Sequence, residues 1–299
     1  MLQPPLANPG AVLRQMMSED IVVMPGVFNG ISAVSAYKAG ARALYISGAG
    51  ITNASLGVPD IALATLTEFA QQAAHVTQVA PLPVISDADT GFGESLNVMR
   101  TVIEMERAGL AGIHLEDQVN PKRCGHLDGK SCISAQDMAR KVRAAVDSKR
   151  DSSFLIIART DARSVEGLEA SIERAKAYVD AGADAVFPEG LTSENEFEAF
   201  RSAVDAPLLA NMTEFGKTPL IPAARFREMG YQMVIFPMTA FRMMLKALDE
   251  CYDEIVSTGS QLDLIDRMRT RKELYERIDY ADYESKDQAW ADLSDPQSS

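Results

Sequence analysis

PVISDADTGFGESLNVMRTVIEMERAGLAGIHLED, residues 83–117, reads as strand, loop, helix, break and strand. The run at 83–88 is apolar and partly β-branched, and too short for a stable helix. Over 94–108, Leu96, Val98, Met99, Val102, Ile103 and Met105 fall at helical spacing and predict a wide apolar face. Ala108-Gly109 ends that helix, glycine being the residue that most readily takes the left-handed C-cap conformation. A second apolar run, 112–116, follows at once.

The same rhythm extends in both directions. Short apolar runs recur at 21–26, 42–48, 154–159, 184–189, 207–211 and 232–237, and the helix-to-strand break recurs at Lys38-Ala39-Gly40, Asp180-Ala181-Gly182 and Glu228-Met229-Gly230. The strands look apolar on both faces, as a parallel sheet covered by helices requires. Eight such units predict a closed (β/α)₈ TIM-type barrel rather than an open doubly wound sheet, and no G-x-G-x-x-G follows the first strand. The expected division is a barrel over 1–258 and a helical extension with tail over 259–299. The charged amphipathic segment 261–280 is surplus to a barrel: it is either a solvated capping helix or an arm on a neighbouring subunit.

Composition narrows the function classes. With 299 residues and 46% hydrophobic content the chain can bury a large single core. Its 29 basic against 42 acidic residues argue against a nucleic-acid partner, since such affinity needs clustered cations. Three cysteines without metal-ligand spacing, no signal or transit pattern and no long apolar run predict a soluble cytoplasmic protein that does not engage membrane.

In this fold, chemistry sits where strands end. The expected ends carry Ser47-Gly48-Ala49-Gly50, Asp87-Ala88-Asp89, Glu116-Asp117, Arg159-Thr160-Asp161, Glu189 and Asn211-Met212-Thr213. Asp87, Asp89 and Glu116 bring carboxylates together without a Cys/His cluster, which predicts a hard divalent cation, Mg²⁺ or Mn²⁺. They are too far from the helix starting near Glu94 to be its caps. The loop Asn120-Pro121-Lys122-Arg123-Cys124-Gly125-His126 joins two cations, a thiol and an imidazole, and Lys122, Arg123 and His126 are expected to lower the pKa of Cys124 for proton transfer. His114, inside a strand, is expected to be structural, and His75 to lie on the surface.

On these motifs, together with Tyr45-Ile46-Ser47-Gly48, Ser55-Leu56-Gly57-Val58-Pro59-Asp60, Phe187-Pro188-Glu189 and Asn211-Met212-Thr213-Glu214-Phe215-Gly216, the chain resembles the isocitrate lyase and phosphoenolpyruvate mutase superfamily nearly end to end. Lys122-Arg123-Cys124-Gly125-His126 is its most specific signature. The resemblance implies a helix-swapped homotetramer, Mg²⁺ and a mobile lid carrying Cys124, with Gly125 and Gly129 as bending points. It implies Asp87 and Asp89 at the metal, Asp60 and Glu116 around it, and substrate contacts from Ser47, Gly48, Ala49, Cys124, Gly125, Arg159, Glu189, Asn211, Met212, Thr213, Arg242 and Arg271. Ala49 departs from the glycine common in such relatives.

The implied reaction is retro-aldol cleavage of a small 2-hydroxy tricarboxylate, with Tyr45 as candidate base, Cys124 as acid and Lys122 and His126 assisting. The mutase branch lacks the Cys-Gly-His part of the loop, so Cys124 favours a lyase. Chain length, Phe187 and the 211–216 stretch favour 2-methylisocitrate over isocitrate. One methyl discriminates by only about 1–3 kcal/mol. Isocitrate lyase, dimethylmalate lyase or oxaloacetate hydrolase activity is therefore the alternative, and a catalytically silent scaffold is the alternative outside enzymes.

Overall fold

The computed structural model describes residues 2, 4–127 and 129–293. Each expected run contains a strand: β1 (Val22–Val27), β2 (Leu44–Ile46), β3 (Val84–Asp87), β4 (Gly112–Glu116), β5 (Leu155–Thr160), β6 (Ala185–Pro188), β7 (Leu209–Asn211) and β8 (Met233–Phe236). They pair in parallel in the order β6-β5-β4-β3-β2-β1-β8-β7. The ends of that order meet where Val186 pairs with Leu208 and donates its amide to the Pro207 carbonyl at 2.9 Å. The result is the expected (β/α)₈ barrel.

Its interior is filled by alternate strand residues, among them Met24, Tyr45, Ile85, Leu155, Phe187 and Met233. Leu13, on the helix Pro9–Glu19, is fully buried in the same group, so that helix plugs the N-terminal end of the barrel. Arg14 ties the plug down, donating from Nε to the Ser153 carbonyl at 2.8 Å and pairing with Asp184 at 2.6 Å. With one end stoppered, the strand C-termini form the open mouth.

The break glycines Gly40, Gly109, Gly182 and Gly230 all have positive φ, between 82° and 104°, so each helix turns back through a conformation that costs other residues energy. Helix starts are equally local: Thr65 and Glu68 form a capping box, and Ser134 accepts the Asp137 amide. One helix face differs from the expected one. The helix Ser95–Arg107 buries Val98, Thr101, Val102 and Met105, a stripe at i, i+3, i+4 and i+7. Leu96 is 77% exposed and Met99 41%, because both project to the side of that stripe.

Two compact units divide the described chain: Pro4–Phe241, and a smaller one beginning at Arg242 to which Leu2 also belongs. The break falls inside the helix Thr239–Thr258, earlier than the boundary expected at 258. The 261–280 segment is not one helix but a 3₁₀ turn, Leu262–Arg267, and a helix, Arg271–Arg277, started by a Thr270–Glu273 capping box. A further helix, Tyr280–Leu293, follows; the expected tail, 295–299, lies outside the described residues. No described helix is long and apolar enough to cross a membrane.

Candidate active site

The polar strand ends converge at the open mouth. Asp87 closes β3, Glu116 closes β4, Arg159 lies on β5 and Glu189 immediately follows β6, all buried. The Arg159 guanidinium links them: Nε lies 2.9 Å from Asp161, Nη1 3.3 Å from Glu116 and Nη2 3.5 Å from Glu189, with the Phe187 ring 5.2 Å beneath. Asn211, ending β7, donates to Glu189 at 3.1 Å. Burial would lift Glu189, but Arg159 and His126 hold its carboxyl well below the ordinary range.

Asp89 has φ 45°, a left-handed turn that aspartate tolerates, and its amide donates to Asp87 Oδ1 at 2.9 Å. The Lys122 ammonium spans Asp60 at 2.5 Å and Asp89 at 3.0 Å. Burial, reinforced by the charges of Asp87 and Asp60, pushes Asp89 up to about 7 despite that lysine.

Behind the carboxylates, Tyr45 Oη and His114 Nε2 are 2.8 Å apart, and His114 Nδ1 is 3.6 Å from Asp87. Burial drives His114 down to about 4, leaving it neutral, and the ring is hydrogen-bonded as a structural residue would be. Burial and the charge of Asp87 also hold the Tyr45 phenol well above its ordinary value. Tyr45 therefore presents a protonated hydroxyl, not the ready base expected from its position. His75 is exposed on the helix Leu66–Thr77, as expected.

The loop over this floor leaves and returns through one antiparallel bridge, Gln118 with Cys132, and the Val119 amide donates to the Ser131 carbonyl at 2.8 Å. Gln118 also grips the Arg123 backbone from both sides, at 2.8 and 2.9 Å. His126 Nε2 is 3.1 Å from Glu189, while Nδ1 accepts the Lys217 amide at 3.1 Å. Gly125 passes so close that a Cβ there would come within 2.5 Å of Glu189 and 2.6 Å of Arg159.

Cys124 is accessible at the edge of the cavity, yet crowding by protein raises its thiol above the ordinary value, and Glu189 adds to this. The expected lowering fails for a geometric reason: Lys122 is spent on Asp60 and Asp89, and His126 is turned towards Glu189. The thiol stays protonated.

Tyr45, Ser47, Ala49, Asp60, Cys124, Gly125, Arg159, Asn211 and Thr213 all line one cavity of about 60 Å³, far below the roughly 300 Å³ at which ligand pockets begin. Gly48 lies against Asp87, where a Cβ would sit 2.6 Å from the carboxylate. Met212 is different: it is buried in the outer core with its sulfur 3.3 Å from the Ile221 amide, so only its backbone remains for a substrate. Arg242 and Arg271 belong to the C-terminal unit. Pro237 and Met238, beyond β8, line the cavity and were missed, because nothing polar marks that strand end.

Among the described residues no three His, Cys, Asp or Glu side chains already form a metal cage. Mg²⁺ does not need one, since it keeps several waters and takes one or two carboxylates. Glu116 Oε1 has no hydrogen-bond partner, Asp89 Oδ1 and Glu116 Oε2 meet only the Lys122 and Arg159 cations, and every candidate donor is oxygen. This set fits a hard divalent cation.

A family model described as phosphoenolpyruvate phosphomutase matches residues 13–256. The 2-methylisocitrate lyase of Aeropyrum pernix is 56% identical over 284 residues, covering 95% of this chain and 91% of that protein. Among solved structures, 2,3-dimethylmalate lyase, a PEP mutase/isocitrate lyase superfamily member, matches with TM-score 0.89 and 37% identity over 96% of each chain. Oxaloacetate acetylhydrolase bound to 3,3-difluorooxalacetate matches with TM-score 0.90 and 36% identity, over 96% of this chain and 99% of that one.

Proposed function

The chain belongs to the phosphoenolpyruvate mutase family, and from that premise we propose that it is a carbon–carbon lyase cleaving 2-methylisocitrate to pyruvate and succinate. The observation that carries this reading is one cavity in which a protonated thiol, Cys124, lies at the edge opposite a buried arginine and a bed of carboxylates. The name carried by the Aeropyrum relative, at 56% identity, supports the substrate.

Asp87 and Asp89 would hold Mg²⁺, or Mn²⁺, with Asp60 and Glu116 around it. Bound there, the cation would supply Lewis acidity to the substrate's C2 hydroxyl and hold the adjacent carboxylate. Arg159 and Asn211 present donors to the remaining carboxylates, with the Tyr45 hydroxyl, paired to His114, beside them. Once a rim carboxylate takes the C2 hydroxyl proton, the C2–C3 bonding pair leaves with C3 and spreads into its carboxylate, while C2 becomes the carbonyl of pyruvate. Arg159 offsets the developing charge. The Cys124 thiol then gives its proton to that carbon, completing succinate, and a raised thiol pKa keeps the proton available until this step. Lys122 and His126 serve by holding the loop shut over Asp60, Asp89 and Glu189.

The apolar side of Thr239–Thr258, with Met243 71% and Val256 85% exposed, supports assembly into a homotetramer through contact with a neighbouring copy. Three free thiols fit a reducing cytoplasm. The test is steady-state cleavage of 2-methylisocitrate, isocitrate, 2,3-dimethylmalate and oxaloacetate, with and without EDTA. The highest kcat/KM should fall on 2-methylisocitrate, and EDTA should abolish turnover until Mg²⁺ is restored. A higher kcat/KM for another acid, or full activity in EDTA, overturns the assignment.

A further inference from the structure

Lys130 and Asp161 have no part in the chemistry above, yet both are sealed from water, with side chains 1% and 0% exposed. Lys130 Nζ lies 2.8 Å from Asp161 Oδ1 and also donates to the carbonyl of Gly125, the residue after Cys124. The same Asp161 carboxylate grips Arg159 twice, at 2.9 and 3.2 Å. One ammonium therefore joins the reacting stretch of the loop to the anchor of the substrate arginine.

The two ends of this link differ in freedom. The Asp161 amide donates to Asp117 Oδ1 at 2.9 Å, and the other Asp117 oxygen accepts from Thr160 and Tyr178, each at 2.8 Å. Asp161 is thus fixed to the barrel wall through a second buried carboxylate. Lys130 rides on the loop, inside the single bridge between Gln118 and Cys132. With the loop open and the ammonium lifted away, Arg159 would be the one cation among the described residues left on Asp161. Closing it returns a charge and pins the Gly125 peptide against Arg159 and Glu189, where only a glycine fits.

We infer that Lys130 and Asp161 are a positioning pair that couples closure of the lid to the orientation of Arg159, an inference that rests on reading Cys124 and Arg159 as the reacting machinery. A purely structural ion pair would stabilise the fold and leave the loop and the reaction alone at temperatures well below unfolding.

Amide hydrogen exchange of the ligand-free protein separates these. In Lys130→Met, exchange over 119–131 should quicken about 10-fold while the barrel strands stay unchanged. On 2-methylisocitrate, kcat should fall about 30-fold with KM moving less than about 3-fold, since misplacing a reacting group acts mainly on the chemical step. Asp161→Asn should act in the same direction, and the double variant should be no worse than the poorer single one. If Lys130→Met does not fold, Lys130→Gln, which keeps a donor without the charge, replaces it. Loop exchange and kcat both within about 2-fold of wild type, or losses that multiply independently, overturn the pairing. A wild type that does not cleave 2-methylisocitrate sinks the functional reading instead, and the exchange measurement still decides the latch.

Discussion

The barrel rim and the loop above it both place charge in the same cavity, by opposite means. Asp87, Glu116 and Arg159 stand on strands whose backbones are fully committed to the sheet. Lys122, Cys124, His126 and Lys130 stand on a loop joined to the barrel by one bridge, and side-chain bonds alone hold them in register. Rim positions are therefore set by folding, whereas loop positions are set by the charges they meet. Such a division suits a reaction that needs fixed electrostatics and a movable seal.

Substitutions can break the contrast, beginning with the largest expected loss of turnover. Cys124→Ser should lower kcat by about 10³-fold with little change in KM, because a hydroxyl is a much weaker acid than a thiol. Wild-type-like turnover would take Cys124 out of its role. Gly125→Ala puts a methyl into Arg159 and Glu189, and kcat should fall about 100-fold while thermal stability changes little; an active, stable variant would show that the seal need not close as drawn.

Tyr45→Phe keeps the ring and loses only the contact with His114, so kcat should drop about 10-fold and stability about 1 kcal/mol in denaturant titration. Retained turnover would leave the phenol without a chemical part. Glu189→Gln tests the hinge between the two regions through pH. The Glu189 carboxyl is depressed in the fold, so its stabilisation is present above the unfolded value near 4.3 and is lost as pH falls through the folded one. The Tm gap between wild type and variant should therefore be widest at neutral pH and shrink below about pH 4; a gap that widens in acid contradicts the direction. Leu13→Ala, in the plug, should cost about 2–5 kcal/mol and leave kcat unchanged. A kinetic effect there would mean that the far end of the barrel communicates with the mouth.

Periodicity and glycine breaks located all eight strands, because a parallel barrel imposes the same local grammar on each unit. The strand-end rule brought candidate residues from several strands to one cavity for the same reason. What stayed illegible depends on neighbours far along the chain. Leu96 and Met99 count as apolar in any local reading, but only the packed helix shows which way they project. The neighbours of Cys124 in sequence are cationic, while in space it is buried by protein with Glu189 beside it, so the pKa argument reversed. Lys130 and Asp161 are 31 residues apart, and neither carries a motif that would pair them.

The size of the chamber has a kinetic corollary. Only about 60 Å³ is free beneath the loop, so a tricarboxylate is expected to enter before the loop settles over it. At the far end of the barrel the described residues close over Leu13. Arrivals are then clocked by the gate: in stopped-flow experiments the observed association rate should climb with ligand concentration only until it reaches the opening frequency, and flatten there.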